Sequence, residues 1–211
     1  MIKIIFFDFD GTITETKDIV EKTFFEVLDR LEYKYEKSKI KKLLGVKTEE
    51  FFLKIGVDKK SIKKLKNIFY ENLLKKIYFS NLKLCSSIKP LYNLKKYCKL
   101  IIISNNEREF LDVTIKKLKI ENLFDEVYGA DSFSSKDEML KKLMKKYKIK
   151  PNETIYVGDR FSDVIYAKKA KCISVAIHNS CSWSSLKEIK KFSPDYIIKD
   201  FKELKKIIKS K

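Results

Sequence analysis

Two aspartates at the end of an apolar run are the residues of this sequence best placed to do chemistry. Asp8 and Asp10 lie in the segment FFDFDGTIT, which follows the strand-like start MIKII. Alternate residues of an extended strand face the same side, so the two carboxylates begin close together. Carboxylates at such short range repel unless a cation compensates them, and a hard divalent cation does so readily. The segment therefore predicts a metal-assisted site.

A plain turn is the competing interpretation of this segment, because Asp and Gly favour turns. It accounts for Asp10 and for Gly11, which lets the chain turn away where the strand stops. It does not account for Asp8 at the end of a deeply apolar strand. Thr12 adds a hydroxyl near the same point. We therefore interpret the segment as functional.

More polar residues follow other strand-like runs. Ser104 and Asn105 come directly after one run, and Asp159 and Asp163 come after another. In an open α/β sheet, ligands bind in the crevice at the carboxyl ends of the strands. A hydroxyl at Ser104 can donate to a phosphoryl oxygen there, although a helix N-cap is an alternative role for it. With the first two aspartates, Asp159 and Asp163 predict an oxygen-rich cation site.

Three cationic residues lie near these motifs. Lys136 is in the loop SFSSKDEML, and among 47 lysines and arginines only its position singles it out. Arg108 and Arg160 each come just after a site motif, and the chain has only one other arginine. An arginine at the edge of a site can grip a substrate carboxylate or a second phosphate. A structural ion pair at a helix start is the alternative for both.

Short apolar runs alternate with helical patterns along most of the chain. This alternation predicts a parallel sheet covered on both faces by helices. Helical spacing of apolar residues is clearest in residues 110–118 and 138–147. The expected fold class is α/β, with a Rossmann-like parallel sheet as the core. The predicted strands are residues 2–7, 99–103, 126–129, 154–157, 172–177 and 196–198.

Residues 15–84 break this alternation. They contain no strand-like run, and their apolar residues recur at helical spacing. We expect these residues to form an α-helical cap inserted between the first and second strands. The α/β catalytic core is then made of residues 1–14 and 85–211.

The formal net charge of +18 makes a nucleic-acid partner worth weighing. The lysines, however, are spread as pairs over the whole length, mostly at polar positions of helices. Arginine, the usual bidentate reader of guanine and phosphate, is nearly absent. Solvated lysine faces are therefore the preferred interpretation, and we do not expect nucleic acid as a partner.

The apolar segments and cysteines bear on location. No apolar window approaches the roughly 20 residues that a membrane helix needs, and no signal-like series precedes the first strand. We therefore expect a cytoplasmic protein with no membrane partner, either a monomer or a homodimer. The four cysteines form no C-x-x-C pair, so reduced thiols are expected rather than a zinc or disulfide framework.

Four motifs in a fixed order resemble the haloacid dehalogenase-like hydrolase superfamily. They are DFDGT at residues 8–12, Ser104 after the second strand, Lys136 before a helix, and GDRFSD at residues 158–163. The resemblance covers nearly the whole chain. The position of the helical insertion is similar to that in the phosphoglycolate-phosphatase and β-phosphoglucomutase branch.

The resemblance implies a role for each motif residue. Asp8 attacks phosphorus and forms an aspartyl-phosphate, and Asp10 protonates the leaving alcohol and then activates water. Mg²⁺ is the implied cofactor, held by Asp8, the main-chain carbonyl of Asp10 and Asp159. Asp163 is a further ligand or a close neighbour of the ion.

The same resemblance implies how the phosphoryl group is bound. Ser104 and Lys136 stabilise the negative charge spread over its oxygens during transfer. We group Thr12 and Asn105 with them as phosphate-binding residues. The helical cap is expected to close over the site and exclude water.

The expected function is Mg²⁺-dependent hydrolysis of a small phosphate monoester, with phosphoglycolate as the default of the branch. The expected partner is thus a small phosphorylated metabolite. Two alternatives stay open, a sugar-phosphate mutase of the same fold and a nucleic-acid end-processing phosphatase. The dehalogenases of the superfamily lack a carboxylate at the position of Asp10, so phosphate chemistry is favoured over carbon–halogen cleavage.

Overall fold

A single parallel sheet of six strands organises the protein, which is described over residues 1–210 by a computed structural model. The strand order is β3-β2-β1-β4-β5-β6, and every neighbouring pair is parallel. The α/β fold class is confirmed, and each strand lies where an apolar run predicted it. The strands are β1 (Ile4–Phe7), β2 (Lys99–Ile103), β3 (Glu126–Tyr128), β4 (Thr154–Gly158), β5 (Ile173–Ile177) and β6 (Tyr196–Ile198).

Helices follow most of the strands, and the first four lie within residues 15–84, between β1 and β2. Those four are α1 (Lys17–Arg30), α2 (Lys37–Leu43), α3 (Thr48–Lys54) and α4 (Lys59–Phe79). The remaining α-helices are α5 (Lys89–Leu94), α6 (Arg108–Lys117), α7 (Lys136–Tyr147), α8 (Phe161–Ala170), α9 (Leu186–Lys191) and α10 (Leu204–Lys209). None of the helices within residues 1–210 is both long and apolar enough to cross a membrane.

The central strand β1 is buried on both faces. Ile5 and Phe7 belong to one hydrophobic cluster, and Ile4 and Phe6 belong to another on the opposite side of the sheet. A strand covered on both faces must be apolar throughout, which is why it appears in the sequence as a continuous run. Its pairing with β4 continues one residue beyond the strand, because the Asp8 backbone N–H donates to Val157 O at 2.8 Å.

The segment between β1 and β2 has an aromatic core of its own. The Phe24 ring stacks on Phe51 and on Phe69, with centroid distances of 3.8 and 4.1 Å. Helices α1 and α3 both pack against α4 around these rings. The rings are contiguous with the hydrophobic cluster on one side of the sheet. The segment is therefore helical, as expected, while its division from the sheet as a separate cap stays a prediction.

The chain leaves the sheet and returns to it through two segments that pair with each other. Thr14 forms an antiparallel bridge with Leu84. The Glu15 backbone N–H donates to Lys83 O at 3.0 Å, and the Cys85 backbone N–H donates to Ile13 O at 2.9 Å. The two ends of the helical segment are thus hydrogen-bonded to each other next to the DFDGT motif. The position of the segment is therefore linked to the position of the motif.

Candidate active site

The carboxyl edge of the sheet brings three of the predicted aspartates together. Asp8, Asp159 and Asp163 are buried, and one carboxylate oxygen from each lies within 4.8 Å of the others. Asp8 follows β1 and Asp159 follows β4, and these strands are direct neighbours in the sheet. Asp163 lies in the first turn of α8. Parallel pairing of two strands therefore assembles most of the cluster.

One buried lysine balances part of this charge. Lys136 Nζ lies 2.7 Å from Asp8 Oδ1 and 3.1 Å from Asp163 Oδ1, and its side chain is only 3% exposed. Tyr156 also donates to Asp163 Oδ1, at 3.0 Å. Burial alone disfavours the ammonium form, but the carboxylates of Asp163 and Asp8 raise the pKa of Lys136 overall. The lysine is therefore held in its charged form.

The charge that remains uncompensated is negative, because three carboxylates face one ammonium. Burial raises the pKa of Asp8 to about 7, although Lys136 opposes the shift. Burial, and then the charge of Asp8, raise the pKa of Asp159 well above its usual value. Carboxylates buried this close together need a further cation. A donor set made only of oxygen suits a hard divalent cation such as Mg²⁺, so the residues fit the expected cofactor.

Backbone and side-chain donors fix the orientation of Asp159. The Trp183 backbone N–H donates to its Oδ2 at 2.6 Å, and the Thr12 hydroxyl donates to its Oδ1 at 3.2 Å. Gly11 has a φ of +78°, and a Cβ on it would lie 2.5 Å from Asp159 Oδ2. Only glycine fits there. Thr12, predicted to bind phosphate, instead contacts a carboxylate of the cluster.

Asp10 is held separately from this cluster. Its Oδ1 accepts from the Thr16 hydroxyl at 2.6 Å, and its Oδ2 accepts from Asn106 Nδ2 at 2.7 Å. The Ser104 hydroxyl lies 3.4 Å from the same Oδ2. Burial raises the pKa of Asp10, and the hydrogen bonds from Thr16 and Asn106 oppose that rise. The structure therefore places Ser104 next to Asp10, at the edge of the sheet where it was expected.

A chain of hydrogen bonds connects Asp10 to the helical segment. Asn106, which donates to Asp10, accepts from the Tyr70 hydroxyl at 3.3 Å through its Oδ1. The Tyr70 hydroxyl in turn accepts from Thr48 and from the Glu107 backbone N–H, both at 3.1 Å. This hydroxyl thus donates once and accepts twice. Tyr70 lies on α4, so a helix of the inserted segment contributes to how Asp10 is held.

A small cavity of about 30 Å³ lies over Asp8 and Asp10. Its polar walls come from the sheet edge, and its apolar walls come from the helical segment, including Val20, Phe24 and Phe69. Such a volume holds only one or a few water molecules. The site is therefore closed by the helices.

The two arginines predicted at the site have different surroundings in the structure. Arg160 lines the cavity. Arg108 does not, because its Nε donates to Asp112 Oδ1 and its guanidinium also donates to Val127 O, both at 2.7 Å. Arg108 forms the structural ion pair at a helix start that was its alternative role. Its position gives no support to the expectation that it binds substrate.

Asn105 lines the cavity but contacts the helical segment. Its Nδ2 donates to Gly45 O at 2.9 Å, and Gly45 lies in the connection between α2 and α3. This residue was predicted to bind phosphate. In the closed arrangement, its amide instead joins the sheet edge to the helices.

The family profile of the haloacid dehalogenase-like hydrolases matches residues 5–177. This chain belongs to that family. The match runs from β1 to the end of β5 and includes every residue of the site described above except Trp183. The expectation of an enzyme from this superfamily is confirmed.

Relatives of this hydrolase include proteins named as phosphatases. It is 28% identical to a candidate pyrophosphatase PpaX of Caldanaerobacter subterraneus subsp. tengcongensis, over 99% of this chain and 95% of the relative. It is also 28% identical to a phosphoglycolate phosphatase of Vibrio vulnificus, over 52% of this chain and 48% of the relative. These names are consistent with a phosphoric monoester hydrolase.

Solved structures share the fold. A predicted phosphatase from Clostridium acetobutylicum superposes with a TM-score of 0.83 at 24% identity, covering 99% of each chain. Similarity at this level of identity supports the architecture alone. It agrees with the parallel sheet and the inserted helices of this hydrolase.

Three residues of the site were not found from the sequence of this hydrolase. Asn106 directly follows Ser104-Asn105, so the position after a strand end could have suggested it. Thr16 and Tyr70 are connected to Asp10 only through contacts that the folded chain creates. Nothing in the spacing of their neighbours sets them apart from other polar or aromatic residues.

Replacing Lys136 tests the charge balance of the cluster. Lys136→Met should lower the free energy of unfolding by about 3–5 kcal/mol without metal, because it leaves buried carboxylates unpaired. Added Mg²⁺ should restore part of this loss and stabilise the variant more than the wild type. Urea unfolding with EDTA or with Mg²⁺ measures both effects.

The matched control lies on the same helix. Lys141 pairs with Asp137 at 3.3 Å but is 52% exposed, so Lys141→Met should cost only about 0–1 kcal/mol. A Lys136→Met protein as stable as the wild type in EDTA would contradict the charge balance described here.

Proposed function

We propose that this hydrolase is a Mg²⁺-dependent phosphatase that transfers a phosphoryl group to Asp8. One observation carries the proposal. Lys136 holds Asp8 Oδ1 at 2.7 Å, whereas no side chain or backbone group in residues 1–210 donates a hydrogen bond to Asp8 Oδ2. Asp8 also lines the cavity. A carboxylate with one oxygen anchored and the other free is suited to act as a nucleophile.

The proposed reaction has two steps that share Asp10. In the first, Asp8 Oδ2 attacks phosphorus, the bond from phosphorus to the leaving oxygen breaks, and Asp10 gives its proton to that oxygen. In the second, water attacks the aspartyl-phosphate, Asp10 takes the proton of the water, and the bond to Asp8 breaks to release phosphate. Thr16 and Asn106 hold Asp10 at the same wall of the cavity as Asp8.

The metal and the lysine have complementary roles in this proposal. Asp8, Asp159 and Asp163 would hold Mg²⁺, with the main-chain carbonyl of Asp10 as a further predicted ligand. The bound ion would supply positive charge between the nucleophile and the phosphoryl group. Lys136 favours the ionised form of Asp8 and orients its carboxylate, and it would supply charge to the transferring group.

Residues 15–84 would act as the cap of this enzyme. A phosphate ester does not fit into about 30 Å³, so the helical segment must move away from the sheet edge to admit substrate. The paired segments around Thr14 and Leu84 are the connection about which it would move. Closing the cap would then exclude water from the first step.

The substrate is proposed to be a small phosphorylated metabolite. A phosphoglycolate-like monoester remains the first candidate, and inorganic pyrophosphate is the second because the pyrophosphatase relative matches over nearly the whole chain. A sugar-phosphate mutase would use the same residues. Cytoplasmic location and a monomeric or homodimeric state remain predictions.

Replacing the nucleophile tests the proposed function. Phosphate release from an aryl phosphate and from a panel of small phosphates should require Mg²⁺ and stop in EDTA. Asp8→Asn should lower kcat by on the order of 10³-fold or more, because no covalent intermediate forms. A colorimetric phosphate assay measures the rates.

The control is Asp18→Asn, since Asp18 is exposed on α1. It should keep wild-type activity. Isomerisation of a sugar phosphate without net phosphate release would favour the mutase instead. Full activity in Asp8→Asn would reject the proposed nucleophile.

A double-mutant cycle tests the link from the helices to Asp10. Tyr70→Phe and Asn106→Ala should each lower kcat roughly 10-fold, because Asp10 is less firmly positioned. If Tyr70 acts through Asn106, the double variant should be no slower than Asn106→Ala alone. Steady-state kinetics on the best substrate measure the three variants.

Tyr78→Phe is the matched control, because Tyr78 lies on the same helix but is 70% exposed. It should leave kcat unchanged. Multiplicative losses in the double variant would show that Tyr70 affects the cap by packing and not through Asn106.

A further inference from the structure

Arg160 presents an unpaired guanidinium to the cavity. It is the N-cap residue of α8, and its hydrogen bonds are made by the backbone alone. The Arg160 backbone N–H donates to Asp163 Oδ2 at 3.0 Å, and its carbonyl accepts from the Asp163 backbone N–H at 3.1 Å. Within residues 1–210, its side chain forms no ion pair within 4.0 Å and donates no hydrogen bond. Its side-chain neighbours include the Phe161 ring, whose centroid is 6.0 Å from Cζ. A guanidinium has five N–H donors, so this one is available for an anion.

Trp183, which also lines the cavity, carries a second unpaired donor. Its backbone N–H is bonded to Asp159, but its indole Nε1 is buried with no acceptor. It is the one buried side-chain nitrogen or oxygen of residues 1–210 without a partner. Burying an N–H group without an acceptor is unfavourable, and native structures contain few such groups. An oxygen atom of a ligand in the cavity would satisfy it.

The side chains of Trp183 and Arg160 each pack closely against a glycine. A Cβ on Gly11 would lie 2.5 Å from Trp183 Cδ1, and a Cβ on Gly45 would lie 1.9 Å from an Arg160 terminal nitrogen. Gly45 belongs to the helical segment and is tied to the sheet edge through Asn105. The closed helices therefore confine Arg160 over the cavity, on the sheet edge that also carries Trp183.

The other side-chain hydrogen-bond donors that line the cavity are already engaged. Ser104 and Asn106 contact Asp10, and Asn105 contacts the helical segment. Lys136 is not among the residues that line the cavity, and it is paired with two carboxylates. Arg160 is therefore the one cationic side chain among the residues that line the cavity. Arginine suits carboxylate and phosphate because its planar fork can bind two oxygens at once.

We propose that Arg160 and Trp183 form a subsite for a second anionic group of the substrate, next to the phosphoryl group that Asp8 attacks. The inference rests on the proposed function and specifies its substrate class. The substrates would be small phosphates that carry a carboxylate or a second phosphate a few bonds from the first. A phosphate ester whose other substituent is uncharged would have no anionic group to bind Arg160 and Trp183.

The sole tryptophan of the chain provides a binding assay that needs no turnover. In the Asp8→Asn protein with Mg²⁺, phosphoglycolate should change the fluorescence of Trp183 and saturate. Ethyl phosphate, in which a methyl group replaces the carboxylate, should bind far more weakly. Adding Arg160→Met should weaken the phosphoglycolate Kd by about 10²-fold. Pyrophosphate in place of phosphoglycolate distinguishes a second phosphate from a carboxylate.

Kinetics in the otherwise native enzyme give a second readout. The ratio of kcat/KM for phosphoglycolate, or pyrophosphate if it is the better substrate, to that for ethyl phosphate should fall about 10²-fold in Arg160→Met. Arg160→Lys should give a ratio between those of Arg160→Met and the wild type, because lysine keeps the positive charge but lacks the planar guanidinium that binds two oxygens. Trp183→Phe should lower the ratio about 10-fold through the lost hydrogen bond.

Arg108→Met is the matched control, because Arg108 is paired at the surface away from the cavity. It should leave the ratio unchanged. An unchanged ratio and Kd in Arg160→Met would overturn the subsite, while hydrolysis of ethyl phosphate would still uphold the phosphatase. A different result would separate the two proposals the other way. If binding is saturable and is lost in Arg160→Met, but the wild type hydrolyses none of the phosphates, the subsite is upheld and the proposed function is rejected.

Discussion

The buried negative charge at the carboxyl edge of the sheet is the constraint on which the rest of the site depends. Asp8, Asp159 and Asp163 lie within reach of one ligand, and within residues 1–210 Lys136 is the one side chain that forms ion pairs with them. Such a cluster is stable only if its remaining charge is compensated. The pairing of β1 with β4 fixes the cluster, so the chemistry of the edge follows directly from strand order.

The second carboxylate of the DFDGT motif depends on a different part of the molecule. Asp10 is held by Thr16 at the start of the helical segment and, through Asn106, by Tyr70 on α4. The proposed nucleophile, Asp8, is thus fixed by the sheet, whereas the proposed acid and base, Asp10, is fixed partly by the helices. Movement of the helices would therefore change the position of Asp10 without disturbing Asp8. Substrate entry would in this way be coupled to the positioning of Asp10.

Local sequence patterns predicted the sheet and the aspartates because both depend on short-range features. A strand buried on both faces is a continuous apolar run, and a polar residue after it falls at the crevice. The patterns could not distinguish Arg108 from Arg160, since each opens a helix after a site motif. Tertiary packing decides between them. Tyr70 left no local signal, because its partner Asn106 lies far away in the sequence.

Calorimetric titration with Mg²⁺ tests the central claim most directly, because it needs neither substrate nor turnover. The account predicts one Mg²⁺ site per wild-type chain, with heat of binding lost in Asp159→Asn. Asp131→Asn, outside the cluster, should bind Mg²⁺ as the wild type does. A wild-type protein that binds no Mg²⁺, or an Asp159→Asn protein that binds it equally well, would contradict the claim that these buried carboxylates form the metal site.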